Sequence, residues 1–162
     1  MATPTYIPLA TTTLASSASS VTFSSIDQSY GDLMLVFDGE FTSQGLVYAS
    51  LNNDTNTANY PAVRMNSDNN GKSSSVSNAQ GIPVVYSGFS LNENLAVVQI
   101  MDYSATDKHK TALTRTNNPA QPLVEALVCR WADTSAVTEI DVFPTAGNLA
   151  SGTTISLYGV AK

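Results

Sequence analysis

Apolar residues recur at every second position through most of this chain, and no stretch sustains a helical period for more than two turns. A period of two places alternate side chains on opposite faces of an extended strand. The final run shows it most clearly. In A-S-G-T-T-I-S-L-Y-G-V, from Ala150 to Val160, Ile155 and Leu157 share one face while Thr154, Ser156 and Tyr158 share the other. A strand with one apolar face needs a second layer over it. Only Ala161 and Lys162 follow, so that layer is expected from upstream.

The upstream chain supplies candidates at regular intervals. Val21 and Phe23 share a face in S-S-V-T-F-S-S-I. In the run from Asp32 to Phe41, Leu33, Leu35, Phe37 and Phe41 oppose Met34, Val36, Asp38 and Glu40, which predicts a central strand. Short strands are predicted at Leu46 to Leu51 and at Ala62 to Met65. The run from Ile82 to Phe89 reads as an edge strand, because Pro83 cannot donate to a central ladder. From Leu95 to Tyr103, Leu95, Val97, Met101 and Tyr103 oppose Ala96, Val98 and Ile100, which predicts burial on both faces. His109 to Arg115 and Val137 to Phe143 also alternate. Leu123 to Trp131 fits a buried strand better than a short helix, since Pro119 and Pro122 precede it.

Nine or ten short strands joined by Ser, Asn, Asp and Gly turns predict an all-β fold, a two-sheet antiparallel sandwich of jelly-roll-like form. At 162 residues the chain is of a size to build one core. Residues 1–18, rich in Thr, Ser and Ala with Pro4 and Pro8, are expected to form an extended N-terminal arm or edge segment anchored by Tyr6, Ile7 and Leu9; residues 19–162 form the sandwich domain. The polar runs from Asn52 to Pro61 and from Asn66 to Ser75 read as long loops. Residues 72–81, almost all small and polar, read as the most mobile or partner-dependent part.

Charge and motifs narrow the chemistry. Charged residues make up 12% of the chain, and seven basic against thirteen acidic side chains leave a net charge of −6. That balance repels a phosphate backbone, so no nucleic-acid partner is expected. No apolar run of about 18 residues is present, and no membrane span is expected. The N-terminus shows no secretory signal. Cys129 is the only cysteine. It can form no intrachain disulfide and reads as a core thiol. His109, the only histidine, sits between lysines and reads as an exposed strand residue. One His and one Cys cannot build the usual four-ligand zinc site within a protomer. Asn66, Asp68, Asn70 and Gly71 copy the opening of an EF-hand loop, but Ser77 stands where the bidentate Glu belongs, and an Asx-rich turn is the simpler reading. Asp38 and Glu40 read as a solvated strand face. No catalytic residue, metal or cofactor is therefore expected, and the chain does not read as an enzyme.

Several segments in fixed order carry a resemblance: T-T-T-L from Thr11, S-V-T-F-S-S-I from Ser20, Tyr30 to Val36, the N-N-D-T turn ending in N-Y, M-D-Y-S with K-T after it, Trp131 leading to A-V-T-E-I, and G-T-T-I-S-L-Y-G-V from Gly152. Together they span nearly the whole chain, and it resembles a family of small tailed-phage virion proteins. The resemblance implies a β-sandwich structural component without catalytic residues, of the capsid-decoration or tail-fibre kind. No coiled-coil or repeat stalk of the sort a complete fibre needs is present, which tilts the expectation toward a cement protein. Its implied partners are the major capsid protein and further copies of itself, as a trimer, on the outer capsid surface of a virion whose parts are made in the host cytoplasm. Tyr6, Ile7, Leu9 and Tyr60 are the candidate partner contacts. The alternative is a tail or fibre module that grips host glycan through Tyr48, Tyr60 and Tyr86 with Asn52, Asn53, Asp54 and Asn59, since rings stack on sugars and amides pair with their hydroxyls.

Overall fold

The computed structural model describes residues 4–68, 71–86, 94–118 and 123–162. Among these residues the regular structure is twelve strands and a single 3-10 turn, Thr57–Asn59. The strands are β1 Tyr6–Thr13, β2 Val21–Ser24, β3 Asp32–Gly39, β4 Val47–Leu51, β5 Pro61–Asp68, β6 Gly71–Asn78, β7 Ile82–Val85, β8 Asn94–Met101, β9 Lys110–Asn118, β10 Leu123–Trp131, β11 Glu139–Pro144 and β12 Thr154–Val160. They form two antiparallel sheets, an eight-stranded one in the order β1-β12-β3-β8-β9-β10-β5-β6 and a four-stranded one in the order β2-β11-β4-β7. The expected all-β, two-sheet antiparallel sandwich is the fold observed.

The inner faces make the core. Leu33, Leu35 and Phe37 of β3 meet Val98 and Ile100 of β8, Ile155 and Leu157 of β12, Ile140 and Val142 of β11, and Ala49 and Leu51 of β4, all buried. Each of these side chains larger than alanine contributes about 1.5–3 kcal/mol by leaving water, before the entropy of ordering it is subtracted. The closing strand β12 lies between β1 and β3, with Leu157 opposite Leu35 and Ile155 opposite Phe37, so its covering layer does come from upstream. Residues expected as an arm form the edge strand β1, which pairs along β12 from Tyr6–Val160 to Thr13–Thr154 with an irregularity between Pro8 and Ala10. The other predicted edge strand, β7, does close the small sheet, with Pro83 in it.

Two expectations are overturned. The polar run from Asn66 to Ser75 is not a long loop: Asn66 to Asp68 end β5, and Gly71–Asn78 forms β6 and pairs along it, from Asp68–Gly71 to Pro61–Asn78. A backbone ladder asks little of its side chains, so a run of serines satisfies it as well as valines do. The face of β8 carrying Leu95, Val97 and Met101 is also not buried. Ala96, Val98 and Ile100 lie inside, whereas Leu95 and Met101 are exposed, because the four-stranded sheet covers only one side of the large one.

Candidate binding face

The register of the large sheet fixes which residues share its outer face. One complete ladder starts at Pro8 on β1, opposite Tyr158, which is opposite Met34, itself opposite Gln99. It continues from Gln99 to Leu113, then to Val128, Val63 and finally Val76 on β6. Of its eight members only Gln99, with its amide, and Tyr158, with its hydroxyl, carry a polar group. The neighbouring ladder runs from Val36 to Val97, Arg115, Ala126 and Met65. All eight large apolar side chains that remain exposed among the described residues lie on this face, with Val76 at 76%, Val124 at 64% and Met65 at 51%. Scattered exposed apolar residues need no explanation, but a continuous patch across a whole sheet marks a contact surface.

Charge on this face is sparse and sorted. Asp32 and Asp38 stand on β3, Arg115 on β9 and Arg130 on β10, with the uncharged outer residues of β8 between the two signs. The Asp32 carboxylate accepts from Gln99 Nε2 at 2.8 Å and from the Asp102 N–H at 2.9 Å. At the β5, β6 and β10 end, a groove of about 630 Å³ opens among Met65, Ser74, Lys72, Val124 and Ala126. Sequence reading missed this face. Apolar residues on both sides of β8 and β10 signal two covered sides, and the chain itself covers only one.

The other candidates turn out to serve the fold. Tyr60 is a correction: it is fully buried, and its Oη accepts the Leu51 N–H at 3.0 Å, so no ring face is open to a sugar or a partner. Tyr48 is also buried, against Phe143, with ring centroids 6.4 Å apart, and burial pushes its phenol up to about 12. Tyr86 is half-buried under the Arg64 guanidinium, 5.1 Å from the ring centroid.

The loop amides and carboxylate are held within the chain. Asn52 Oδ1 accepts the Thr138 and Glu139 N–H groups at 2.9 and 3.2 Å, and its Nδ2 donates to Ala136 O at 2.9 Å. Asp54 accepts from Trp131 Nε1 at 2.7 Å, from Asn59 Nδ2 at 2.8 Å and from the Asn56 N–H at 2.9 Å. Burial works to raise this carboxyl, and the three hydrogen bonds outweigh it and hold it below the ordinary range. Asn53 is exposed, with φ at +59°.

Of the arm residues, Tyr6 points outward at the rim of the outer face, opposite Val160. Ile7 and Leu9 are half-buried, and Leu9 packs on its own core beside a cleft of about 460 Å³ between β1 and β2. Asp38 and Glu40 are exposed, as is His109. Its neighbour Lys110 turns inward, with Nζ donating to Lys108 O at 3.0 Å and to Thr134 O at 3.1 Å beside the Trp131 ring. Cys129 is buried on β10, and burial pushes its thiol up to about 12. The EF-hand spacing is split between two paired strands: Asn66 lies on β5, where it accepts from Ser73 Oγ at 2.7 Å, and Gly71 and Ser77 lie on β6, while Asn70 falls outside the described residues.

No protein-family model and no curated protein matches the chain. Among solved structures it is similar to a tetrameric galectin from the ball sponge Cinachyrella sp., at 13% identity over 87% of this chain and 99% of that one, with a TM-score of 0.42. It is also similar to the galectin LEC-6 of Caenorhabditis elegans, at 8% identity over 100% and 99% of the two chains, TM-score 0.38. An alginate lyase, Aly36B, solved with an alginate tetrasaccharide, aligns at 11% identity over 99% and 98%, TM-score 0.29. Likenesses this distant carry no argument about what the chain binds.

Proposed function

We propose that this protein is a structural component of a phage particle, a decoration protein that binds the assembled capsid shell from outside and stabilises it. The observation that carries the reading is the outer face of the eight-stranded sheet, where one largely apolar ladder crosses from β1 to β6 and a second, interrupted by Arg115, runs beside it from β3 to β5. A face of that extent suits a protein-sized contact more than a small ligand, which takes a concave pocket with a few convergent polar groups. The resemblance of the ordered segments from Thr11 to Val160 to small tailed-phage virion proteins is what supports a virion setting for that contact. The loop that would serve glycan has its Asn52 and Asp54 side chains engaged by the fold, so the geometry favours assembly over sugar recognition.

A protein that binds the assembled shell but not its dissociated subunits stabilises the shell by mass action, by RT ln(1 + [L]/Kd) per site. Virions stripped of the protein are expected to lose resistance to heat, and adding the purified protein back is expected to restore it. The protein should be present in hundreds of copies per particle. Unchanged heat resistance after stripping, or a handful of copies at the tail tip, overturns the reading.

A further inference from the structure

We infer that a second copy of this chain covers the outer face, in a two-fold pair whose axis runs along the strands between β8 and β9. The inference rests on the assembly reading above and divides its surfaces: the outer face is given to a second copy, and the pair rather than the single chain is the unit that meets the shell, through surfaces outside that face. It starts from the sorted charge. Asp32 and Asp38 lie on β3, one strand to one side of β8, and Arg115 and Arg130 lie on β9 and β10, on its other side. Arg115 and Arg130 have no carboxylate partner among the described residues.

A two-fold axis lying in the face and parallel to the strands carries β8 over β9 and β3 over β10 of the partner. Asp32 of one copy then lies over Arg130 of the other. Asp38 comes within reach of Arg115, one strand and one residue row away, which a guanidinium stem spans. Between these pairs Met34 stacks on Val128, Val36 on Ala126 and Tyr158 on Val63, so the apolar ladders meet each other. An axis perpendicular to the strands does the opposite: it brings the carboxylates of β3 against each other and the guanidinium groups of β9 and β10 against each other. Like charges juxtaposed in an interface oppose association, so the charge pattern selects the first arrangement. The pairing is isologous, one patch meeting itself, and differs from the threefold ring expected from the resemblance.

The size of the face fits. Six strands from β12 to β5, spaced about 4.8 Å apart, and four residue rows about 7 Å apart give roughly 800 Å² per copy, so a pair covers roughly 1,600 Å², within the range of specific protein interfaces. Aligned sheets packed about 10 Å apart leave room for one layer of side chains from each face.

Sedimentation equilibrium of the full chain at micromolar concentration tests this, with far-UV circular dichroism and thermal unfolding as controls for folding. A dimer is expected. Val128→Asp, at a 40% exposed position in the middle of the longer ladder, is expected to give a folded monomer. Arg115→Asp and Asp38→Arg are each expected to weaken the pair about tenfold or more, and an equimolar mixture of the two is expected to restore it as a heterodimer. A monomeric wild type, a dimer indifferent to Val128→Asp, or a mixture no stronger than its parts overturns the inference. Rebinding to stripped virions separates the two readings. A monomer that rebinds overturns only the self-pairing, whereas a face-dependent dimer that fails to rebind supports the pairing and overturns the decoration role.

Discussion

Trp131 donates its indole N–H to Asp54 Oδ2 at 2.7 Å, joining the end of β10 to a loop 77 residues earlier in the chain. The same oxygen accepts from Asn59, and Oδ1 takes the Asn56 N–H, so one carboxylate organises the whole turn beyond β4. Asp54→Ala removes all three hydrogen bonds and is expected to cost about 2–3 kcal/mol, as hydrogen bonds to a charged group do. Urea unfolding at pH 7 measures it.

The same carboxylate gives the fold an acid dependence with a definite sign. Hydrogen bonds hold the Asp54 carboxyl below its ordinary range in the folded chain despite the opposing effect of burial. The unfolded chain therefore binds its proton at higher pH, about 3.9. The stabilisation is fully present above that value and is lost as the pH falls through the lower folded value. Wild type should lose stability below about pH 4 more steeply than Asp54→Asn, which carries no charge to titrate.

Glu125 points inward from β10, almost wholly buried, and pairs with the Arg64 guanidinium, which also lies over the Tyr86 ring. Removing one member of such a pair takes away the attraction that offset the desolvation of both. Glu125→Leu is expected to cost about 3 kcal/mol, whereas Arg64→Met combined with Glu125→Leu should recover much of that loss. Chemical denaturation of the two variants separates these outcomes. If the double variant proves less stable than the single one, the pair contributes through contacts that apolar packing cannot replace.

The sandwich was legible because burial on one face writes a period of two into the sequence. Leu33, Leu35 and Phe37 on β3, and Ile155 and Leu157 on β12, all lie inside as their alternation implies. What stayed hidden followed from two gaps in that signal. The ladder of β6 rests on backbone pairing, which a serine-rich run does not announce. The outer face looked buried because Leu95, Val97 and Met101 are apolar, and a pattern records that a side chain prefers to be covered without recording whose surface does the covering. Tyr60 failed as a contact for a related reason: a tyrosine in an Asn-rich loop suits a sugar or a core equally well in sequence, and here the loop folds back so that the ring enters the core and the hydroxyl finds the Leu51 N–H.

Cys129 should behave as an inert thiol. It is 1% exposed on the inner face of β10, and burial pushes it up to about 12, so almost no thiolate exists at neutral pH. A disulfide reagent such as Ellman's reagent is expected to leave the folded protein unlabelled for hours and to react with one equivalent within minutes in denaturant. Rapid labelling of the native chain would place the thiol at an opening of the fold and contradict its burial.

Gly159 shows how tightly the closing strand is built. A Cβ placed there would run into the aromatic ring of Tyr30, which packs over the strand on its way into β3. The glycine needs no unusual backbone angle; it is required because the ring occupies the space. Gly159→Ala is therefore expected to cost about 1–3 kcal/mol by overpacking, although alanine normally suits a strand better than glycine does. If the ring is the cause, the penalty should shrink sharply in a Tyr30→Ala background, which supplies the missing room while removing some apolar contact of its own. Thermal unfolding of the four members of that cycle measures the coupling directly. A penalty that is the same with and without Tyr30 would mean that the strand backbone itself cannot take the side chain.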